Sequence, residues 1–368
     1  MKILYDHQSF TGMSYGGVTR YFFDLMQALA QRPDVQFELS LRFSNNEYLK
    51  GADFAKPISF SRFAQSLRAN QLASRLNRFY SIYKLRAGQF DIFHPTYYHR
   101  YLLKYLGEKP LVITFHDATS ERFGKQYPEL GTGLFDTKKL LLDRANAVIA
   151  ISEFTKQEIL HFFPDTDPAK IHVVHLGTSF SELSPASSVP LLPFPYVLYV
   201  GKRPLYKNFG GFYEAMRPVL ARHPDLRLVC AGGGRFTADE VARFRADGLA
   251  ERVLFEPITD SRLFNLYQHA RTFVFPSLNE GFGIPVLEAF SAGCPTVLSD
   301  RSSLPEVGAD AAVYADPENA DALADAVERV VLDDTLRANL RAKGYARLRH
   351  FSLDKTAEQT LAVYQKLR

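Results

Sequence analysis

Residues 272–289 read Thr-Phe-Val-Phe-Pro-Ser-Leu-Asn-Glu-Gly-Phe-Gly-Ile-Pro-Val-Leu-Glu-Ala. The run Thr272 to Phe275 has the apolar character of a buried strand. Gly281 and Gly283 permit a sharp turn and a close approach of backbone to ligand. Pro285 suits the first turn of a helix, where its missing N–H costs nothing. Val286, Leu287, Ala289 and Phe290 then carry that helix inward. The unit is strand, glycine turn, helix N-terminus, and such a terminus attracts phosphate through free N–H groups and the helix dipole. Two acids flank it, Glu280 in the turn and Glu288 about one turn into the helix. A carboxylate beside a phosphate site suits the hydroxyls of a ribose or sugar ring better than the phosphate itself. The combination points to a sugar nucleotide.

The same strand–turn–helix rhythm extends on both sides. In the C-terminal half, Tyr196–Val200, Leu226–Ala231, Val253–Ile258, Pro295–Asp300 and Ala312–Tyr314 read as strands, with helices over about 319–345 and 354–367. Gly201 to Asn208 joins a strand end to a helix start and carries Lys202, Arg203 and Lys207, a cation set suited to clamping a diphosphate. In the N-terminal half, residues 2–6, 35–41, 90–94, 111–115, 147–151 and 171–177 read as strands. Gly16-Gly17 opens an amphipathic helix whose apolar face is Val18, Tyr21, Phe22, Leu25 and Leu29. His116-Asp117 stands at a strand's carboxyl end, where doubly wound sheets bind ligands. Tyr97 and Tyr98 lie in an aromatic loop suited to stacking on a sugar face. The repeated βα pattern predicts an α/β protein with mostly parallel sheets.

Glu280-x7-Glu288, with Gly-Phe-Gly-Ile-Pro inside it, resembles the signature of the GT-B glycosyltransferases of family 4. Val200-Gly201, then a basic residue, then Lys207-Asn208 resembles that family's donor-phosphate motif, with the basic position falling on Lys202 or Arg203. Val112-Ile-Thr-Phe-His116-Asp117 resembles the family's His-Asp, whose histidine faces the donor sugar. The resemblance implies a GT-B fold: two Rossmann-like domains facing a central cleft, with a C-terminal helix crossing back to the first domain. The expected boundaries are an acceptor-side domain over 1–185, a nucleotide-sugar domain over 195–350 and the returning helix over 351–368, with a Ser/Pro-rich linker between the domains. It implies metal-independent, retaining hexosyl transfer, with no cofactor and no metal ligands. His116, Glu280, Arg203 and Lys207 are the implied catalytic residues. Gly201, Lys202, Ile258, Phe282, Gly283, Ile284, Pro285 and Glu288 are the implied donor contacts, and Gly16 and Gly17 the acceptor-side loop. The runs Tyr206–Phe209 and Tyr15–Tyr21 look like bacterial surface-polysaccharide transferases of the mannosyl or deoxymannosyl kind. A GDP-sugar donor and a glycan or lipid-linked acceptor are therefore expected.

Other readings fit parts of the sequence. A nucleotide-sugar-binding protein of the same fold without catalysis would share the motifs, although Glu280, Lys207 and His116 are all in place. Gly12-Met13-Ser14-Tyr15-Gly16 fits the G-x-S-x-G elbow of serine hydrolases, but that elbow needs its serine directly after a strand, and here the strand ends near Asp6. Asp165-Thr166-Asp167 fits a metal-diphosphate D-x-D, yet it lies between Pro164 and Pro168 and reads as a turn.

The bulk properties agree with two domains: 368 residues, 46% apolar, with a net charge of +4 that does not argue for nucleic acid. No run of 18 apolar residues suggests a membrane span. The chain enters a strand pattern directly with no signal-peptide pattern, and its two cysteines, Cys230 and Cys294, suit a reducing cytoplasm. Between Asp53 and Asp91 there is no acid. That stretch carries Lys56, Arg62, Arg68, Arg75, Arg78, Lys84 and Arg86, with Leu72, Leu76, Phe79 and Tyr83 at helical spacing. Residues 56–86 therefore read either as a surface helix packed on its own domain or as a dock for an anionic membrane surface or lipid-diphosphate acceptor.

Overall fold

Buried apolar strands that alternate with amphipathic helices cannot cover both faces except by lying between helix layers, and this chain does so twice. The computed structural model of the protein describes residues 1–11, 15–59, 67–131, 133–183, 189–203 and 205–368, with backbone alone at 67–69, 181 and 182. Ser14, Arg62, Pro204, the Arg68 side chain and linker residues 184–188 thus lie outside the described set. Twelve strands occur among the described residues: β1 (Lys2–Asp6), β2 (Gln36–Ser40), β3 (Ile92–His94), β4 (Val112–Phe115), β5 (Ala147–Ala150), β6 (Ile171–Val173), β7 (Tyr196–Val200), β8 (Arg227–Ala231), β9 (Val253–Glu256), β10 (Thr272–Phe275), β11 (Thr296–Ser299) and β12 (Val313–Ala315). All their pairings are parallel.

Two compact units result, Met1–Gly177 with Leu353–Arg368, and Thr178–Ser352. The border falls after Gly177 rather than after 185 because Phe180 is buried and packs on Phe264 and Tyr267 of the second unit. In the first unit the strand order is β2-β1-β3, continued through a bridge from Phe93 to Leu111 into β4-β5-β6. In the second it is β12-β11-β10-β7-β8-β9. In each, the winding direction reverses beside the first strand, between β1 and β3 and between β7 and β10. Ligands of doubly wound sheets bind beyond the carboxyl ends at such reversals.

The helix Leu353–Gln365 completes the first unit through buried polar bonds. Its Tyr364 hydroxyl lies 2.8 Å from the Tyr5 hydroxyl on β1 and 2.6 Å from His94 Nδ1 on β3. His94 Nε2 in turn reaches Thr114 Oγ1 on β4 at 2.9 Å. Thr356 Oγ1 accepts from the Gly177 N–H and donates to the His175 carbonyl.

The helix Leu67–Ala87 packs on the first unit through a face other than its stripe of Leu72, Leu76, Phe79 and Tyr83. Ala73, Asn77, Ser81 and Leu85 are buried. Asn77 accepts from the N–H groups of Arg42 and Phe43 and donates to Thr11 Oγ1 and the Phe43 carbonyl. Ser81 bonds Ser40. Leu72, Leu76, Phe79 and Tyr83, at positions i, i+4, i+7 and i+11, point away and are 41–68% exposed. Among the described helices none is long and apolar enough to cross a membrane.

Candidate functional site

In the second unit the reversal between β7 and β10 brings Gly201–Lys207 beside Ser277–Gly283. Leu278 N–H donates to the Tyr206 carbonyl at 2.7 Å, and the Asn208 side-chain amide donates to the Pro276 carbonyl at 3.2 Å. These bonds bring Lys207 to Glu280, and its Nζ donates to Glu280 Oε1 at 2.6 Å. The lysine also lies over the rings of Tyr206 and Phe275. The helix Ile284–Ser291 begins after Gly283, whose φ of +102° is the left-handed region. A Cβ at Gly283 would come within 2.8 Å of Leu304 Cδ2, so both conformation and space require glycine. The Glu280 N–H donates to Ser302 Oγ at 3.1 Å, and Ser303 Oγ lies 2.9 Å from the carbonyl oxygens of Glu280 and Phe282. The turn that carries the carboxylate is thus held by its neighbours rather than left loose.

The other expected donor contacts divide by exposure. Lys202 and Ile258 are exposed, Gly201, Ile284, Pro285 and Glu288 are half-buried, and Gly283 is buried. Glu288 accepts from the Tyr267 hydroxyl at 3.3 Å. Burial raises that hydroxyl well above its ordinary pKa, with Glu288 adding to the rise. Phe282 is buried, with its ring edge-on to Phe351 and its carbonyl accepting from Ser303 Oγ. Ser277, part of the quoted motif but given no role there, is fully buried beyond β10, and among the described residues its Oγ has no partner.

Arg203, an expected catalytic cation, is 6% exposed and ion-paired with Glu240 at 2.7 Å. Its other nitrogens donate to the carbonyls of Gly234 and Arg235 at 2.9 and 2.8 Å. Burial alone would raise the Glu240 carboxyl, but hydrogen bonds from Arg203 and the Thr237 N–H outweigh it and hold the group below its usual range. The partner was hidden in the sequence because Glu240 lies 37 positions further along the chain.

In the first unit His116 directly follows β4 and is buried. Its N–H donates to the Tyr98 hydroxyl, which donates to the Thr114 carbonyl. Tyr98 is therefore committed to holding His116 in place, and of the two tyrosines it is Tyr97 that is exposed. The imidazole packs edge-on against Tyr21, Phe22 and Tyr98, and among the described residues its Nε2 has no partner. Burial pushes its pKa down to about 4, against the pull of Asp117, and Lys138 lowers it further. His116 is neutral at physiological pH. Lys138 is itself buried, pairs with Glu121 at 2.8 Å and donates to the Asp117 carbonyl.

His7 and Ser9, beyond the end of β1, escaped the sequence reading. Thr11 Oγ1 donates to the His7 carbonyl and therefore accepts from His7 Nδ1–H. His7 Nε2 keeps a lone pair and, among the described residues, is buried without a partner, as is Ser9 Oγ. The only available signal was position, a polar pair between a strand end and the Gly16-Gly17 turn. Gly16 precedes the helix Gly17–Ala30, and no atom crowds a Cβ placed at Gly17.

The hydrolase reading finds no support in the flanks of Ser14. β1 ends at Asp6, and the short helix Gln8–Thr11 intervenes. Asp165 pairs with Lys139, and Asp167 caps the turn Pro168–Lys170. Among the described residues no group of three or more His, Cys, Asp or Glu side chains could hold a metal ion.

Residues 185–347 match the family described as Glycosyl transferases group 1, and residues 15–182 match Glycosyltransferase Family 4. The chain is 29% identical to the O-antigen chain mannosyltransferase B of Escherichia coli, over 95% of this chain and 96% of that protein. It is 28% identical to the D-inositol 3-phosphate glycosyltransferase of Actinosynnema mirum, over 96% and 93%. The crystal structure of Anabaena Alr3699/HepE in complex with UDP-glucose covers all of this chain and all of its own, with a TM-score of 0.75 and 17% identity. Both parallel units are accounted for by these matches, and the chain belongs to the GT-B glycosyltransferases of family 4.

Proposed function

We propose that the protein transfers a hexose of the mannose or deoxymannose type from a GDP-sugar to a glycan or lipid-linked saccharide in bacterial surface-polysaccharide synthesis. The observation that carries this reading is the Lys207–Glu280 pair at the β7/β10 reversal. Breaking the bond from the anomeric carbon to the diphosphate makes the sugar oxocarbenium-like and adds charge to the leaving group. Fixed positive groups stabilise that charge. Lys207 and the N–H groups at the start of Ile284–Ser291 supply them, which supports transfer without a metal. Glu280 is suited to hold a sugar hydroxyl and Glu288 a ribose hydroxyl. His116, neutral and with Nε2 free, is suited to the donor sugar. Family membership supports retention of configuration.

The likeness to the Escherichia coli O-antigen mannosyltransferase supports the choice of sugar and acceptor. A thermal-shift and calorimetric panel of GDP, UDP, dTDP and ADP tests the donor. GDP should bind most tightly. Selection of UDP would overturn the GDP assignment and favour the ligand of the Anabaena structure. Retention is tested by the anomeric configuration of the product, and metal independence by full activity in chelator.

The outward stripe on Leu67–Ala87 supports peripheral attachment to the inner, anionic face of the cytoplasmic membrane. Its apolar residues lie opposite the packed face, and exposed Arg75 and Arg86 accompany them. A lipid-linked acceptor would then be met where it is embedded.

A further inference from the structure

The two neighbouring cations Lys202 and Arg203 stand in opposite circumstances. Lys202 is exposed, and among the described residues no hydrogen bond or ion pair holds its side chain. Every nitrogen of the Arg203 guanidinium is engaged, with Glu240, the Gly234 carbonyl and the Arg235 carbonyl, and the group lies over the Phe236 ring. Drawing Arg203 onto a diphosphate would strip Glu240 of its cation and leave two turn carbonyls without donors.

The turn that Arg203 holds is unusual in geometry. Gly232, Gly233 and Gly234 all have positive φ, at +70°, +70° and +89°. Gly233 lies so close under the preceding loop that a Cβ would fall 2.1 Å from the Gly201 carbonyl oxygen and 2.9 Å from Lys202 Cα. The turn therefore supports the backbone from which Lys202 projects. Glu240 is fixed in its own right. It is the third residue of the helix Ala238–Ala246 and closes a capping box with Thr237. The constraints run in series from the helix cap to Glu240, from Glu240 to Arg203, from Arg203 to the glycine turn, and from the turn to Lys202.

We propose that Arg203 is a positioning residue that does not touch the donor: with Glu240 it clamps the Gly232–Gly234 turn beneath Gly201 and so sets Lys202, which meets the diphosphate beside Lys207. This rests on the glycosyltransferase reading above and refines it.

Glu240→Gln is the informative variant, because glutamine also closes a capping box and leaves the helix start intact. GDP affinity is measured by calorimetry, with UDP used instead if the nucleotide panel selects it, at a temperature where every variant is folded. The clamp predicts that Glu240→Gln and Arg203→Met each weaken binding about tenfold, and that Arg203→Lys does not restore it, since lysine cannot bridge a carboxylate and two carbonyls. It also predicts strong non-additivity: in a Lys202→Met background, Glu240→Gln should add less than about twofold. A direct Arg203–diphosphate contact predicts the reverse, with Glu240→Gln unchanged or tighter because the arginine is released. That result overturns the proposal. So does a lowered Tm with unchanged GDP affinity, which would make the clamp merely structural, and so do fully additive losses. Failure of the wild-type protein to bind any of the four diphosphates is a separate outcome that overturns the donor reading itself.

Discussion

Lys207 Nζ lies 2.6 Å from Glu280 Oε1, so the cation expected on the diphosphate and the acid expected on the sugar neutralise one another before a donor arrives. Donor binding must exchange this pair for two new partnerships, and the carboxylate competes with the diphosphate for the same ammonium. Lys207→Met should weaken GDP binding about 10- to 100-fold by removing a charge-assisted contact. Glu280→Gln should bind GDP as tightly as wild type or severalfold tighter, while transfer falls by at least about 100-fold. Calorimetry beside a turnover assay separates the two. Weaker GDP binding by Glu280→Gln would contradict the exchange.

Burial pushes His94 down to about 3 and His116 down to about 4, both from an ordinary 6.5. Folded, the two imidazoles are neutral at pH 7. Unfolded, they take up protons once the pH falls below their ordinary value. The stability from keeping them neutral is complete above that value and is lost as pH falls toward the folded values, at up to about 1.4 kcal/mol per pH unit for each. The urea midpoint should therefore decline between pH 7 and pH 4.5, and His116→Asn should flatten that decline by about one proton. An unchanged slope would show that His116 is already charged in the folded protein.

The outward stripe on Leu67–Ala87 should bind bilayers that carry anionic lipid. Each cation near such a surface contributes about 1 kcal/mol, reduced by salt, and Phe79 and Leu76 add apolar burial. Co-sedimentation should detect binding at low salt that weakens at high salt and is absent with neutral lipid. Leu76→Ser with Phe79→Ser, or Arg75→Glu with Arg86→Glu, should release the protein and leave transfer to a short soluble acceptor within about twofold. If the wild-type protein ignores anionic vesicles at low salt, the face is not a membrane dock.

Tyr364→Phe removes a hydroxyl shared by Tyr5 and His94. Two buried groups lose their partner, at a cost of about 1–3 kcal/mol each. The urea midpoint should fall, and limited proteolysis should cut near Leu353 sooner than in wild type. Adding Tyr5→Phe should recover part of the loss, because one orphaned hydroxyl disappears with it. A double variant less stable than Tyr364→Phe would show that Tyr5 has another partner.

Much of this was legible in the residue order, for identifiable reasons. Strands such as Thr272–Phe275 are buried on both faces, so their apolar runs are continuous, and Pro285 and Gly283 mark a helix start by backbone chemistry alone. What stayed hidden depends on partners far along the chain. Nothing near Arg203 announces Glu240, and nothing near Lys207 announces that Glu280 will meet it across 73 positions. The periodicity of Leu72, Leu76, Phe79 and Tyr83 marked an amphipathic helix but could not say which face packs. Asn77 decides that, since its amide satisfies four backbone and side-chain groups that would otherwise be buried without partners.

The first unit is written in two instalments, with the entire second unit between Gly177 and Leu353. During synthesis the ribosome completes the second unit before it makes the helix that supplies Tyr364. Until then Tyr5 and His94 lack the hydroxyl they share. A nascent chain arrested before Leu353 thus holds one finished module and one unfinished one, and chaperones or proteases would meet the upstream module as the vulnerable one. Circular permutation that joins Leu353–Arg368 directly ahead of Met1 would reverse that order of maturation.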